Sequence, residues 1–218
     1  MASSQPSRQP VRVILADDHL IVRQAVGLLL IEAGFDVVGE AGDGHEAIRL
    51  VRELRPDVAI LDVVMPGLNG LDAAREIQAA FPVTRTILLT SRHDEQLVLE
   101  ALQIGVCGCV LKTHQAEDLI GAVREVAAGG VYLTPSMSHR VAEAYRTGTT
   151  LPSDPLSPRE RQVLQLITEG RRVRDIADLL GVSVKTAESH RSNIMRKLGI
   201  DQTAGLVRYA LRRGLSDL

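Results

Sequence analysis

The sequence predicts an α/β domain with a doubly wound, five-stranded parallel sheet of order 2-1-3-4-5, followed by a second, smaller all-α domain built around a helix-turn-helix. Three observations predict it. Short apolar runs alternate strictly with helical periods in the first part, and only helical periods remain in the last. Charge divides at the same place: from Ser157 onward 12 Lys/Arg face 7 Asp/Glu, whereas the preceding part holds 13 against 20, so a −7 part precedes a +5 part. Strict βα alternation implies a parallel sheet with helices on both faces, and five strands favour the 2-1-3-4-5 order.

The elements follow in order. Val11–Ala16 is an apolar run, and Leu20–Ala33 has helical period up to Gly34. Val37–Ala41 precedes a helix over Gly44–Leu54 that stops before Pro56. Val58–Leu61, Thr86–Leu89 and Gly108–Leu111 supply three more strands, with helices over Leu71–Ala80, Glu95–Ile104 and Ala116–Ala128. These elements define a first domain over residues 10–128, preceded by a polar, mobile tail. Residues 129–155 form a connector: Gly129-Gly130 ends the last helix, Ser136–Arg146 has helical composition, and Thr147–Asp154 is rich in turn formers. Residues 156–218 form the second domain. Ser157-Pro158-Arg159-Glu160 is a capping box with Pro in the first turn, opening a helix to Glu169. Helices over Val173–Leu180, from Ser183 to Leu198, and over Thr203–Arg213 follow, with Gly181 free to take a left-handed turn between the first two.

Composition bounds the function. At 218 residues, 45% hydrophobic and 24% charged, the chain can bury a real core, but 2% aromatics leave that core to Leu, Ile, Val and Ala. Apolar runs are too short for a membrane span, and the polar first ten residues are no signal peptide. Cys107 and Cys109 are too few and too close for a disulfide framework, so they read as small apolar residues of a buried strand in a reducing cytoplasm. The basic last part suits a polyanion.

Chemistry concentrates at the strand ends. In an open parallel sheet, ligands sit beyond the carboxyl ends of the strands, at the switch point. Strand 1 ends in Asp17-Asp18, strand 3 in Asp62, strand 4 in Thr90-Ser91 and strand 5 in Lys112. Adjacent strands 1 and 3 bring three carboxylates together, and like charges so placed call for a hard divalent cation, Mg²⁺. Asp62 can then attack a phosphoryl group as a carboxylate nucleophile, with Thr90 and Lys112 contacting the phosphoryl oxygens. Thr90 is preferred to Ser91 because it directly ends the strand. Each feature alone has an ordinary explanation as a helix cap, a loop cap or a surface lysine; their coincidence on one edge points to a site.

Ala16-Asp17-Asp18-His19, the stretch from Leu61-Asp62 to Asn69-Gly70, and Leu111-Lys112 together resemble the receiver domain of two-component response regulators. That resemblance implies Asp62 as phosphoacceptor, Asp17 and Asp18 as Mg²⁺ ligands with Asp62, the Val64 carbonyl as a further ligand, Thr90 as switch hydroxyl and Lys112 as phosphate partner. One departure stands out: Cys109 occupies the strand-5 position where receivers commonly carry a Tyr or Phe that moves in concert with the switch hydroxyl.

In the last part, Val184, Ala187, Ile194 and Leu198 form an inward stripe on the third helix. Lys185, Glu188, Ser189, Ser192 and Arg196 lie opposite, flanked by His190, Arg191 and Asn193. Short polar groups at a helix start reach base edges, while Lys and Arg neutralise phosphates; Arg171, Arg172 and Arg174 are further phosphate candidates. From Leu156-Ser157-Pro158 through Ser183-Val184-Lys185-Thr186 to Lys197-Leu198-Gly199 the chain resembles the LuxR-type helix-turn-helix, and with a receiver it resembles the NarL/FixJ subfamily. This implies Glu188, Ser189 and Ser192 as base-reading positions and Lys185, Thr186, Arg191 and Lys197 as backbone contacts. It also implies dimerisation through the last helix and masking of the recognition helix by the unphosphorylated receiver.

The expected function is a cytoplasmic, phosphorylation-gated transcription regulator that receives its phosphoryl group from a sensor histidine kinase, binds double-stranded DNA as a homodimer and has no membrane partner. Two rivals come from other classes. An aspartate-nucleophile phosphatase would need a second acid close after Asp62, where Val63, Val64 and Met65 stand. A phosphorylation-independent regulator would use its receiver only to dimerise, which the missing aromatic at Cys109 favours.

Overall fold

A computed structural model of the chain describes residues 9–91, 95–113, 115–147, 155–213 and 215. The expected polar tail (residues 1–8) and most of the expected flexible stretch (residues 148–154) lie outside them.

Five strands, β1 (Arg12–Ala16), β2 (Asp36–Ala41), β3 (Val58–Asp62), β4 (Arg85–Thr90) and β5 (Gly108–Leu111), alternate with α1 (Leu20–Glu32), α2 (Gly44–Leu54), α3 (Gly70–Ala80), α4 (Glu95–Ile104) and α5 (Ala116–Ala127). All strands pair in parallel. The sheet has six strands rather than the expected five, in the order β2-β1-β3-β4-β5-β6. The added β6 (Tyr132–Leu133) falls in the expected connector and pairs with Gly108 and Cys109 of β5. Two residues are too short to show a period of 2; a tertiary hydrogen bond from Tyr132 N to Cys107 O (2.9 Å) opens the pairing.

The continuous apolar character of the strands has its cause in two covered faces. Along β1 and β3, Ile14, Ala16, Ala59 and Leu61 join a core with α2, α3 and α4, whereas Val13, Leu15, Val58 and Ile60 join a second core with α1 and α5. The connector helix, α6 (Pro135–Thr147), packs Met137 and Val141 onto the first core.

The remaining elements are α7 (Pro158–Thr168), α8 (Val173–Leu179), α9 (Val184–Leu198) and α10 (Thr203–Arg212). The capping box forms as expected: Ser157 accepts from Glu160 N, and Glu160 accepts from Ser157 N at 2.7 Å. Gly181, between α8 and α9, takes φ +63, the left-handed turn that a side chain would disfavour. Leu164, Ile176, Ala187, Ile194, Leu206 and Ala210 form the core of these helices. The expected inward stripe on α9 needs one correction: Val184 is 42% exposed, because it is the first residue of the helix and lies ahead of the turn that Ala187 buries.

Candidate functional site

The sheet edge assembles the acidic group. Ala16 pairs with Leu61, so Asp17 and Asp62 follow at the same level of adjacent strands. Both are buried, and the Asp18 side chain is one-third exposed. Lys112 Nζ lies 2.8 Å from Asp17 Oδ2 and 2.8 Å from Asp62 Oδ2, bridging the two carboxylates. Thr90 ends β4 and is buried, its carbonyl accepting from Lys112 N at 2.8 Å, while Ser91 is exposed. Val64 stands half-buried in the loop after β3.

That loop is tightly built. A Cβ on Gly70 would come within 2.0 Å of the Asp62 carbonyl oxygen, so only glycine lets the start of α3 press on the end of β3. Gly70 N donates to Val63 O (3.0 Å), and the Asn69 side chain caps α3 by accepting from Asp72 N at 2.8 Å.

Sequence reasoning left out His19. Its Nδ1 lies 2.8 Å from Asp18 Oδ1, and its backbone N–H donates to Asp17 at 2.9 Å. One ligand atom each from Asp17, Asp18, His19 and Asp62 lie within 4.8 Å of one another. The available signal was adjacency to the acidic pair. Among the described residues, the three carboxylates outnumber the Lys112 ammonium that bridges two of them and the Arg23 guanidinium that donates to the Asp17 carbonyl, and such a set of oxygen donors fits a hard divalent cation.

Electrostatics follow the crowding. Burial pushes the Asp62 carboxyl from 3.8 up to about 6; the Lys112 hydrogen bond and charge oppose this, while Asp17 and Asp18 add to it. For Lys112, burial disfavours the ammonium, but hydrogen bonds to Asp17 and Asp62 outweigh it and hold the pKa above 10.5. Cys109, 1% exposed, has its thiol pushed up to about 12 by burial, so it stays neutral and behaves as a small apolar residue.

On α9, Lys185, Thr186, Glu188, Ser189, Ser192 and Arg196 are exposed, as are Arg171, Arg172 and Arg174 around the start of α8. Among the described residues, the receiver therefore does not mask these α9 positions as family likeness implied. What the sheet domain covers is α7, because the polar side of α7 finds hydrogen-bond partners in the β3–α3 loop. Two expected backbone contacts have partners within the chain: Lys197 Nζ sits 2.6 Å from Glu160 Oε2, and Arg191 donates to Thr203 Oγ1 at 3.0 Å. Ser189 Oγ donates to the Lys185 carbonyl at 2.9 Å.

Residues 13–124 match the family described as response regulator receiver domain, and residues 154–210 match the bacterial regulatory proteins of the luxR family. The chain is 40% identical to the oxygen regulatory protein NreC of Staphylococcus epidermidis, covering 95% of this chain and 100% of the relative. It is 36% identical to the transcriptional regulatory protein MctR of Rhizobium johnstonii over 95% and 96% of the two chains. Among solved structures it resembles the Salmonella typhimurium response regulator RcsB (TM-score 0.66, 30% identity, 93% of this chain and 97% of that one). It also resembles RcsB bound to a promoter with a phosphomimetic (TM-score 0.63, 32% identity, 91% and 97%). Among the described residues no helix is long and apolar enough to cross a membrane. With both halves matched and relatives aligned from end to end, the chain belongs to the NarL/FixJ-type response regulators, phosphorylation-regulated DNA-binding transcription regulators rather than enzymes.

Proposed function

We propose that Asp62 accepts the phosphoryl group, that a sensor histidine kinase supplies it, and that the charge so placed governs DNA binding by α9. The observation that carries this reading is the bridging of Asp17 and Asp62 by Lys112 at 2.8 Å on a net-negative sheet edge. The Asp62 carboxylate attacks phosphorus, a P–O bond forms, and the P–N bond to the kinase imidazole breaks. Asp17, Asp18, Asp62 and the Val64 carbonyl would hold Mg²⁺, which when bound supplies charge neutralisation for the phosphoryl oxygens. Lys112, already touching Asp62, is positioned to pair with those oxygens, and Thr90 to donate a hydrogen bond.

For DNA, Glu188, Ser189 and Ser192 are proposed to read base edges, and Lys185, Thr186, Arg191 and Lys197 to contact the backbone, with Arg171, Arg172 and Arg174 adding phosphate contacts. Lys197 and Arg191 would exchange their intramolecular partners for phosphate. The active form is a homodimer joined through α10, the working division is residues 10–128, 129–155 and 156–218, and the place of action is the cytoplasm, where kinase output and DNA meet. The buried thiol of Cys109, in place of an aromatic, favours a second reading in which the receiver only dimerises. Treatment with acetyl phosphate and Mg²⁺ decides between them: intact mass should show one added phosphoryl group on the wild type and none on Asp62→Asn. Gain in both would move the acceptor elsewhere, and gain in neither would favour the second reading.

A further inference from the structure

The two sides of the acidic pocket are held by different means. On the β3–α3 side, Gly67 N donates to Glu169 Oε1 at 2.9 Å and Asn69 N to Gln165 Oε1 at 3.2 Å, so α7 braces that loop. On the β1–α1 side the brace is a side chain of the receiver itself, Arg23 of α1. Its NH1 donates to the Asp17 carbonyl, and its Nε donates to Glu40 Oε2 of β2 at 3.3 Å. The Arg23 side chain is 16% exposed, whereas Glu40 is half-exposed.

Arg23 is poorly placed for its own helix. It lies one turn from the N-terminus of α1, where the helix dipole disfavours a cation, and that first turn holds no acidic residue. What the guanidinium holds offsets this. The Asp17 side chain needs little from Arg23: it is buried, its Oδ1 accepts from His19 N at 2.9 Å and its Oδ2 from Lys112 Nζ at 2.8 Å. Asp17 N donates to Ala41 O at 3.1 Å. The group that Arg23 fixes is the peptide joining Asp17 to Asp18. That unit is planar, so holding the Asp17 carbonyl also sets the Asp18 N–H and the direction in which the Asp18 side chain leaves the backbone. The Asp18 carboxylate is one-third exposed and meets His19 Nδ1, on a mostly exposed side chain, at 2.8 Å. Its aim therefore depends on the backbone.

We infer that Arg23 is a positioning residue for the metal: it holds the Asp17–Asp18 peptide so that Asp18 points at the divalent cation, and Glu40 steadies Arg23 while cancelling its charge. This rests on the acidic pocket holding Mg²⁺. Two effects of removing Arg23 differ in sign. Were the guanidinium simply a positive charge beside the site, its loss would tighten Mg²⁺ binding. Loss of an aimed ligand weakens binding, because Mg²⁺ demands near-ideal octahedral geometry.

The test is a Mg²⁺ titration of the full-length protein, followed by NMR at the Asp18 and Asp62 amides. The initial rate of phosphoryl uptake from acetyl phosphate is measured over the same Mg²⁺ range. Arg23→Met should raise the Mg²⁺ dissociation constant at least about tenfold, the usual effect of losing a residue that orients a ligand. Uptake at saturating Mg²⁺ should stay within about twofold of wild type, since Asp62 and Lys112 keep their contact. Arg23→Lys retains the charge and a donor but not the fork, and should fall between the two. Glu40→Gln, at a half-exposed position, leaves the guanidinium charge uncancelled and should also weaken Mg²⁺ binding; it keeps the inference testable should Arg23→Met not fold. Amide exchange at Gly67 and Asn69 should match wild type in every variant, which separates positioning from general loosening. Unchanged or tighter Mg²⁺ binding in Arg23→Met, or uptake that stays slow at saturating Mg²⁺, would overturn the role of Arg23. Wild-type protein that binds Mg²⁺ but gains no phosphoryl mass would remove Asp62 as acceptor and leave the positioning of the metal standing.

Discussion

Asp62 is a carboxylate held where its neutral form is favoured. Between the ordinary pKa of 3.8 and the folded value of about 6 the native state binds more protons than the unfolded one. Stability of the metal-free protein therefore falls as pH rises through that window and stays lower above it. In urea unfolding with EDTA, Asp62→Asn should flatten this slope and gain on the order of 2 kcal/mol near neutral pH. Added Mg²⁺ should restore much of the deficit in the wild type and little in the variant. Lys112 works in the other sense: its pKa is raised, so its contribution is present below 10.5 and is lost as pH rises through the folded value. Gly70 is the other sensitive position. Gly70→Ala should destabilise the fold by about 1–3 kcal/mol through the clash with the Asp62 carbonyl, and should slow phosphoryl uptake, as intact mass against time would show.

At the scale of elements, α7 is the helix buried all round: Arg161, Gln162 and Gln165 are polar, yet every residue from Glu160 to Thr168 is buried. One side joins the helix-turn-helix core and the other meets the receiver. Its first turn also ties down α9: Glu160 closes the cap on Ser157 and accepts from Lys197 at 2.6 Å. Burial raises the Glu160 pKa, but the Lys197 and Ser157 hydrogen bonds outweigh it and hold it below 4.5. Glu160→Gln should therefore cost about 1–2 kcal/mol in thermal unfolding. The Lys185 side chain is exposed on α9, so Lys185→Ala should leave stability unchanged, weaken DNA binding across sequences and reduce the salt slope by about 1. Strand and helix bounds were readable because apolar runs and the 3.6 period are local properties, and strand order because strict βα alternation favours one doubly wound arrangement. The Asp17, Asp62, Thr90 and Lys112 edge was readable for the same reason, since each ends its own strand. His19 was missed because no periodicity marks it, and β6 because it exists only through its pairing with β5.

For the whole molecule, two kinds of electrostatics should separate with ionic strength. The Arg161–Asp72 pair is shielded from solvent, so screening reaches it weakly, whereas DNA binding releases counterions. Raising salt from about 50 to about 200 mM should cut DNA affinity at least about tenfold, while amide protection at Gly67 and Asn69 hardly changes.

By itself the sequence determined the parallel sheet, the acidic edge at its switch point with Asp62 in it, and the basic helix-turn-helix. Each follows from local period, turn chemistry or position at a strand end. Only the tertiary structure decided that α7 rather than α9 faces the receiver, and that Asp72 meets Arg161 across 89 residues of sequence. Docking of two preformed surfaces depends on how separate hydrogen-bond donors and acceptors align in space, and no local period carries that information.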